Sequence, residues 1–303
     1  MKYDSYADLI GETPLVRLPH LGLPDGVTVY AKLELANPGG SVKDRIGLAM
    51  IERAEARGEL KPGGTILEGT AGNTGIGIAF AALNRGYRVI FTVPEKFSQE
   101  KQQIMRRLGA EIVVTPRELG MQGAEAKARE LAAEIPGAVV LDQFTNPANP
   151  DIHYETTGPE LYRDLDGTLD YFVGGAGTGG TFSGIVRYLK ERDPSIQGVL
   201  TDPVGSTIGG GEHADYEIEG IGNDFVAKTL DLSLVDTVLK ITDEEAFEQV
   251  RLLARTEGIL AGSSTGAALA GIRKLAEQGA RGTFAFVVPD RAERYFSKGL
   301  LAD

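Results

Sequence analysis

Short apolar runs rich in β-branched residues alternate with helix-length segments along nearly the whole chain, and this pattern restricts the fold most. Candidate strands are Val27–Leu33, Thr65–Leu67, Arg88–Val93, Glu111–Thr115, Val139–Asp142, Tyr171–Val173, Gly198–Thr201 and Thr283–Val288. Helical patterns separate them at Asp44–Ala56, Gln99–Leu108, Ala124–Ala133, Thr181–Glu191 and Glu244–Thr256. Several of the strands are continuously apolar, as parallel strands covered on both faces must be. The alternation predicts an α/β chain with doubly wound parallel sheets and helices on both faces.

A length of 303 residues, 42% of them hydrophobic, suits two lobes or one large α/β unit. The Pro- and Asn-rich stretch Asn146–Asp151 is a candidate lobe boundary. A net charge of -12 argues against nucleic-acid binding, because neutralising phosphates requires clustered Lys and Arg. With no cysteine there is no disulfide, thiolate metal site or cysteine nucleophile. His20, His153 and His213 lack ligand spacing, so no metal is expected. The start MKYDSYADL has no apolar signal-peptide core and no run approaches a membrane span, so a soluble cytoplasmic protein is expected.

Four segments could carry chemistry. In Asn37–Arg45 (NPGGSVKDR), two glycines precede Ser41 as a candidate N-cap, with Asp44 placed as in a capping box. Lys43 then falls in a first helical turn, where the macrodipole disfavours a cation and favours the neutral, nucleophilic amine. An ordinary solvated lysine offset by Asp44 fits the same residues. In Glu68–Gly75 (EGTAGNTG), amides, hydroxyls and the Asn73 amide collect between a strand and a helix. That is either an anion site suited to an amino-acid carboxylate or a turn capped by Thr70 or Asn73. Gly174–Thr181 (GGAGTGGT) sits between a strand and a helix with five closely spaced glycines, which lets backbone amides approach a phosphate. Gly175, Gly177 and Gly180, with Asp202 after the next strand, also satisfy a dinucleotide-binding pattern. In Gly262–Gly266 (GSSTG), the hydroxyls suit helix caps before Ala267–Leu275; Ser264 also centres a literal nucleophile-elbow match, but no His follows it. The Gly-rich stretch Pro203–Gly222 reads as a long loop, functional or merely superficial.

Taken in order, GETPL from Gly11, NPGGSVKDR, TAGNTG, QFTNPANP from Gln143, GTGGT and GSSTGA resemble the cysteine synthase and cystathionine β-synthase family of pyridoxal-phosphate (PLP) enzymes. The resemblance spans nearly the whole chain. It implies the two-lobed fold of the tryptophan synthase β-subunit type, with a smaller mobile lobe at 40–144 closing on substrate and a larger PLP-phosphate-binding lobe at 1–39 plus 145–303. Lys43 is implied to hold PLP as a Schiff base and then to act as the base at the α-carbon. Asn73 is implied to bond the cofactor 3-hydroxyl. Gly177, Thr178, Gly179, Gly180 and Thr181 are implied to cradle the phosphate, and Ser264 to face the pyridine nitrogen. Thr70, Ala71, Gly72 and Thr74, with Gln143, are implied to bind the substrate carboxylate. A homodimer is implied, while docking of serine acetyltransferase is not decidable from the residues.

The implied reaction is β-replacement on O-acetyl-L-serine or L-serine by a thiol through an aminoacrylate, giving cystathionine from homocysteine or cysteine from sulfide. A neutral partner at the ring nitrogen favours elimination over a long-lived carbanion. The stretch Tyr216–Phe225 (YEIEGIGNDF) resembles cystathionine synthases, which implies Glu219 and Gly222 as substrate-binding residues, and the Glu219 carboxylate could meet the ammonium of homocysteine. Ala71 and Asn223 depart from the animal enzymes, which favours O-acetylserine over serine as donor. A dehydratase-type lyase of the same fold is the alternative.

Overall fold

The computed structural model describes residues 2–70, 72–95, 99–298 and 300–301. In chain order its elements begin with β1 (Leu15–Arg17), β2 (Val27–Lys32), α1 (Lys43–Ala56), β3 (Thr65–Gly69), α2 (Asn73–Ala82) and β4 (Arg88–Pro94). They continue with α3 (Gln99–Arg107), β5 (Glu111–Thr115), α4 (Gly120–Glu134), β6 (Ala138–Val140), α5 (Ala148–Ile152) and α6 (Gly158–Asp164). The last are β7 (Tyr171–Gly175), α7 (Gly180–Arg192), β8 (Gln197–Pro203), β9 (Thr237–Ile241), α8 (Asp243–Glu257), α9 (Ser263–Glu277) and β10 (Gly282–Val287).

The chain divides into two compact units. The first, Met1–Ile10 with Asn37–Asn149, is built on a parallel four-stranded sheet of order β5-β4-β3-β6. Its strand β3 is buried throughout, as its TILEG sequence requires apart from one residue, Glu68. Leu67, Ile90 and Ala128 form a core under α4, with Val113 and Leu131 packed against it. Residues 2–10 group with this unit rather than with 11–36; Tyr6 packs edge-on against Phe80, 5.6 Å between ring centres.

The second unit, Gly11–Ala36 with Pro150–Asp303, carries a six-stranded sheet of order β1-β2-β10-β7-β8-β9. Val29, Val173, Val199, Phe284 and Phe286 point from that sheet into a core closed by Leu269 and Ile272 of α9. The sheet is mixed, not wholly parallel, because β1 runs antiparallel to β2. Neither β1 nor β9 is evident in the sequence. The first is three residues long, and the second is a half-buried edge strand (TVLKI) stabilised by pairing with β8. No helix among the described residues is long and apolar enough to cross a membrane.

Candidate active site

In the first unit, α1 starts at Lys43, and its cap differs from the expected capping box. Val42 holds the cap position in helical conformation with no side-chain bond. Ser41 Oγ accepts the Lys43 N–H at 3.3 Å. The buried Asp44 carboxylate accepts the Gly39 N–H at 2.6 Å instead of closing on Ser41, since the turn at Gly40 (φ +84°) brings that amide to it.

Helices α1 and α2 pack backbone to backbone. A methyl group built on Gly47 would overlap the Gly77 carbonyl carbon, and one on Gly77 would overlap the Lys43 carbonyl oxygen. Glycine at these two positions therefore pins the start of α1 against α2. Lys43 itself is partly buried.

The loop after β3 collects the expected anion-binding residues of this unit. Thr70 Oγ1 accepts the Gly72 N–H at 3.4 Å. Gly72, not Thr70 or Asn73, is the N-cap of α2, and no side chain caps that helix. The first amides of an uncapped helix lack intrahelical partners and favour an anion. In the first turn the Thr74 hydroxyl donates to Gln143 Oε1 at 2.6 Å, and Gln143 Nε2 donates to the Gly69 carbonyl at 3.4 Å. Thr70, Gly72, Thr74 and Gln143 are thus brought together, with Asn73 opening the same helix; Ala71 lies outside the described residues. Both Thr74 and Gln143 are buried.

Behind this loop stands Glu68, a residue to which the sequence reading gives no role. It is 2% exposed, and its oxygens accept the N–H groups of Asp142 and Gln143 at 2.7 and 3.1 Å. Burial pushes its carboxyl up to about 8, against the pull of those two bonds; the neighbouring Asp142 and Glu125 carboxylates add to the rise. A lone acid within the apolar TILEG run was the available signal.

In the second unit, the turn from β7 into α7 carries the glycine-rich segment. Gly179 caps α7 in left-handed conformation (φ +81°) without any side-chain cap. A methyl on Gly177 would stand 2.5 Å from the Gly220 carbonyl oxygen, so the long loop after β8 lies directly on this turn. Two hydrogen bonds tie it there: Gly222 N–H to the Ala176 carbonyl at 2.8 Å, and Asn223 Nδ2 to the Gly177 carbonyl at 2.9 Å. Ser264, in the first turn of α9 and 6% exposed, also lies near Gly220, with its Oγ 3.9 Å from where a Cβ would stand on that glycine. Glu219 N–H donates to the adjacent Ser263 Oγ at 2.9 Å. Gly177–Thr181, Glu219–Gly222 and Ser264 therefore form one patch, and the loop predicted at 203–222 is part of it.

Two further residues support the turn. His153 is fully buried in a π-helical turn, His153–Thr157, and its ring nitrogens lie 2.9 Å from Thr157 Oγ1 and 3.1 Å from Thr181 Oγ1. Thr229 Oγ1 donates to the Thr178 carbonyl. Asp202, the acid of the dinucleotide reading, is buried and accepts from Lys240 Nζ at 2.7 Å and the Gly209 N–H at 2.9 Å. Those local bonds account for Asp202 without a bound ribose.

The donor set suits a phosphorylated cofactor: an uncapped helix start, backbone amides in a glycine turn, and the Thr178 and Thr181 hydroxyls for a dianion. Ser264 adds a buried neutral hydroxyl beside it.

Comparison with known proteins specifies the cofactor. Residues 6–290 match the family model described as pyridoxal-phosphate dependent enzyme. The chain is 50% identical over 292 residues to the O-acetylserine dependent cystathionine beta-synthase of Bacillus subtilis (strain 168), covering 96% of this chain and 95% of the relative. It is 46% identical over 300 residues to a cysteine synthase of Staphylococcus aureus (strain Mu50 / ATCC 700699), covering 98% and 96%. The crystal structure of the O-acetylserine dependent cystathionine beta-synthase from Helicobacter pylori superposes with a TM-score of 0.95 at 44% identity, covering 99% of each chain. The chain belongs to the pyridoxal-phosphate dependent enzymes, in their cysteine synthase and cystathionine β-synthase branch, and its cofactor is PLP. The dinucleotide reading of Gly175–Gly180 is thereby overturned.

Proposed function

We propose that the chain catalyses β-replacement on O-acetyl-L-serine, exchanging the acetoxy group for a thiol. Homocysteine gives cystathionine, and sulfide gives cysteine. The observation that carries this reading is the Thr74–Gln143 pair at the uncapped start of α2, whose second turn packs against Lys43. An anion site for an amino acid's carboxylate and a lysine amine are built on one pair of helices. The likeness to relatives named for O-acetylserine and for cysteine synthesis supports the donor and the reaction type.

When bound, PLP supplies an electron sink that acidifies the α-carbon and lets a β-substituent leave. Lys43 would hold the cofactor through its ε-amine, and the same amine, when free, would serve as the base for the α-proton. Thr70, Gly72, Thr74 and Gln143 fix the substrate carboxylate, so that the α-C–H is held in one orientation. Gly177–Thr181 would hold the cofactor phosphate, Asn73 would bond its 3-hydroxyl, and Ser264 would offer a neutral hydroxyl to the ring nitrogen. Glu219 receives the ammonium of homocysteine, and Gly222 keeps its loop on the α7 turn.

Incubation of the PLP-loaded protein with O-acetylserine and either thiol, followed by mass analysis, tests the proposal. Cystathionine or cysteine is expected. Release of pyruvate and ammonia with no thioether would identify a lyase instead.

A further inference from the structure

Strands β3 and β6 pair in parallel as far as Leu67 and Val140, and the Leu141 N–H still reaches the Leu67 carbonyl at 3.1 Å. At Asp142 the backbone turns left-handed (φ +55°) and the ladder ends. The next two amides, of Asp142 and Gln143, go to the two carboxylate oxygens of Glu68. Buried amides need partners, and a carboxylate offers acceptors on both oxygens. From Gln143 the bonding continues outward: its side chain meets Thr74 and Gly69, and its carbonyl accepts from Asn149 Nδ2 at 2.8 Å.

We propose that Glu68 is the positioning residue for Gln143: its ionised carboxylate clamps both amides, sets Gln143 against Thr74, and so determines affinity for the substrate carboxylate. This rests on the reading of Gln143 as a carboxylate ligand.

The charged groups facing Glu68 are Asp142 on the clamped loop and Glu125 and Arg129 on α4. Arg129 is 3.0 Å from Asp142 and 3.6 Å from Glu125, so it balances those two acids and leaves Glu68 shielded mainly by its amides. With burial holding the Glu68 carboxyl near 8, a proton competes with the amides around neutral pH. Once protonated, one oxygen carries a hydrogen and the two-amide clamp weakens.

The test uses the PLP-loaded enzyme and L-alanine, an amino acid with no leaving group, titrated by visible absorbance from about pH 6 to about pH 9. Hydrogen exchange of a peptide spanning 141–145 gives a second readout. Above about pH 8, where the carboxyl is ionised, Glu68→Gln is expected to weaken L-alanine binding about tenfold, as loss of one hydrogen bond to a charged group does. It should also speed exchange of that peptide at unchanged PLP content. Wild type should gain affinity as pH rises through about 8 beyond any gain in the variant, the ionisation of L-alanine being common to both. An identical affinity and pH profile in Glu68→Gln overturns the proposal. If Gln143→Ala binds L-alanine like wild type, the reading of Gln143 fails and the proposal with it. If Gln143→Ala is weak and Glu68→Gln is not, the Glu68 proposal fails alone. Should Glu68→Gln not fold, Glu68→Asp keeps the charge on a shorter arm; weaker binding that retains the pH step is expected, and wild-type affinity overturns the proposal.

Discussion

A methyl group on Gly77 would overlap the carbonyl oxygen of Lys43, so there is no room for one. The position of the lysine is therefore set by the partner helix as well as by its own. Gly77→Ala must push α1 and α2 apart, at a cost of roughly 1–3 kcal/mol for overpacking in a closed interior. The expected outcome is a lowered melting temperature and loss of most activity, seen by thermal denaturation and product assay. A variant as stable and active as wild type would remove this contact from the account.

The α7 turn is as tightly constrained. Gly177→Ala places a methyl 2.5 Å from the Gly220 backbone oxygen, so the loop lying on the turn has to move. Cofactor retention after dialysis, read from the visible absorbance, should fall well below wild type. The far-ultraviolet circular dichroism should be preserved. Full retention of PLP would argue that the phosphate sits elsewhere.

Stability should depend on pH through Glu68. Its carboxyl titrates near 4.5 in the unfolded chain and at about 8 in the folded one. Across that window the unfolded chain has released its proton while the folded chain retains it, so rising pH favours unfolding. Denaturant unfolding should show stability falling from about pH 5 toward pH 8, and Glu68→Gln should flatten that slope. A slope unchanged in the variant assigns it to other groups.

Much of the fold was legible because its strands are local signals. Glu111–Thr115 is found as expected, Arg88–Val93 runs one residue further to Pro94, and Thr283–Val288 is shifted by one residue at both ends to Gly282–Val287. The helix starts at Lys43 and Ser263 and the glycine turn before α7 were legible as local structure, because caps and clustered glycines carry a physical meaning in sequence, whereas the roles given to Lys43 and Ser264 came from the family resemblance. Three features were not legible. The β9 edge strand depends on its pairing with β8, and its TVLKI sequence is neither continuously apolar nor cleanly alternating. The Ser41–Asp44 spacing reads as a capping box, yet the turn at Gly40 gives the Asp44 carboxylate a different amide. The clamp by Glu68 joins residues far apart in the chain, and its geometry exists only once β3 and β6 are paired.

The stretch Glu219–Gly222 is expected to govern the choice of thiol. Glu219→Gln keeps the shape and the backbone bond to Ser263 but removes the negative charge. The KM for homocysteine should rise several-fold, in line with loss of one partly exposed ion pair, while that for sulfide stays within about twofold. Equal effects on both thiols would take Glu219 out of the specificity argument.

The most direct measurement is product formation by the purified PLP-loaded protein, wild type beside Lys43→Ala, given O-acetylserine with homocysteine or with sulfide. Wild type should form cystathionine or cysteine, and Lys43→Ala should form neither while keeping its fold. Wild-type protein that makes no thioether from either thiol, or Lys43→Ala that turns over like wild type, would contradict the account.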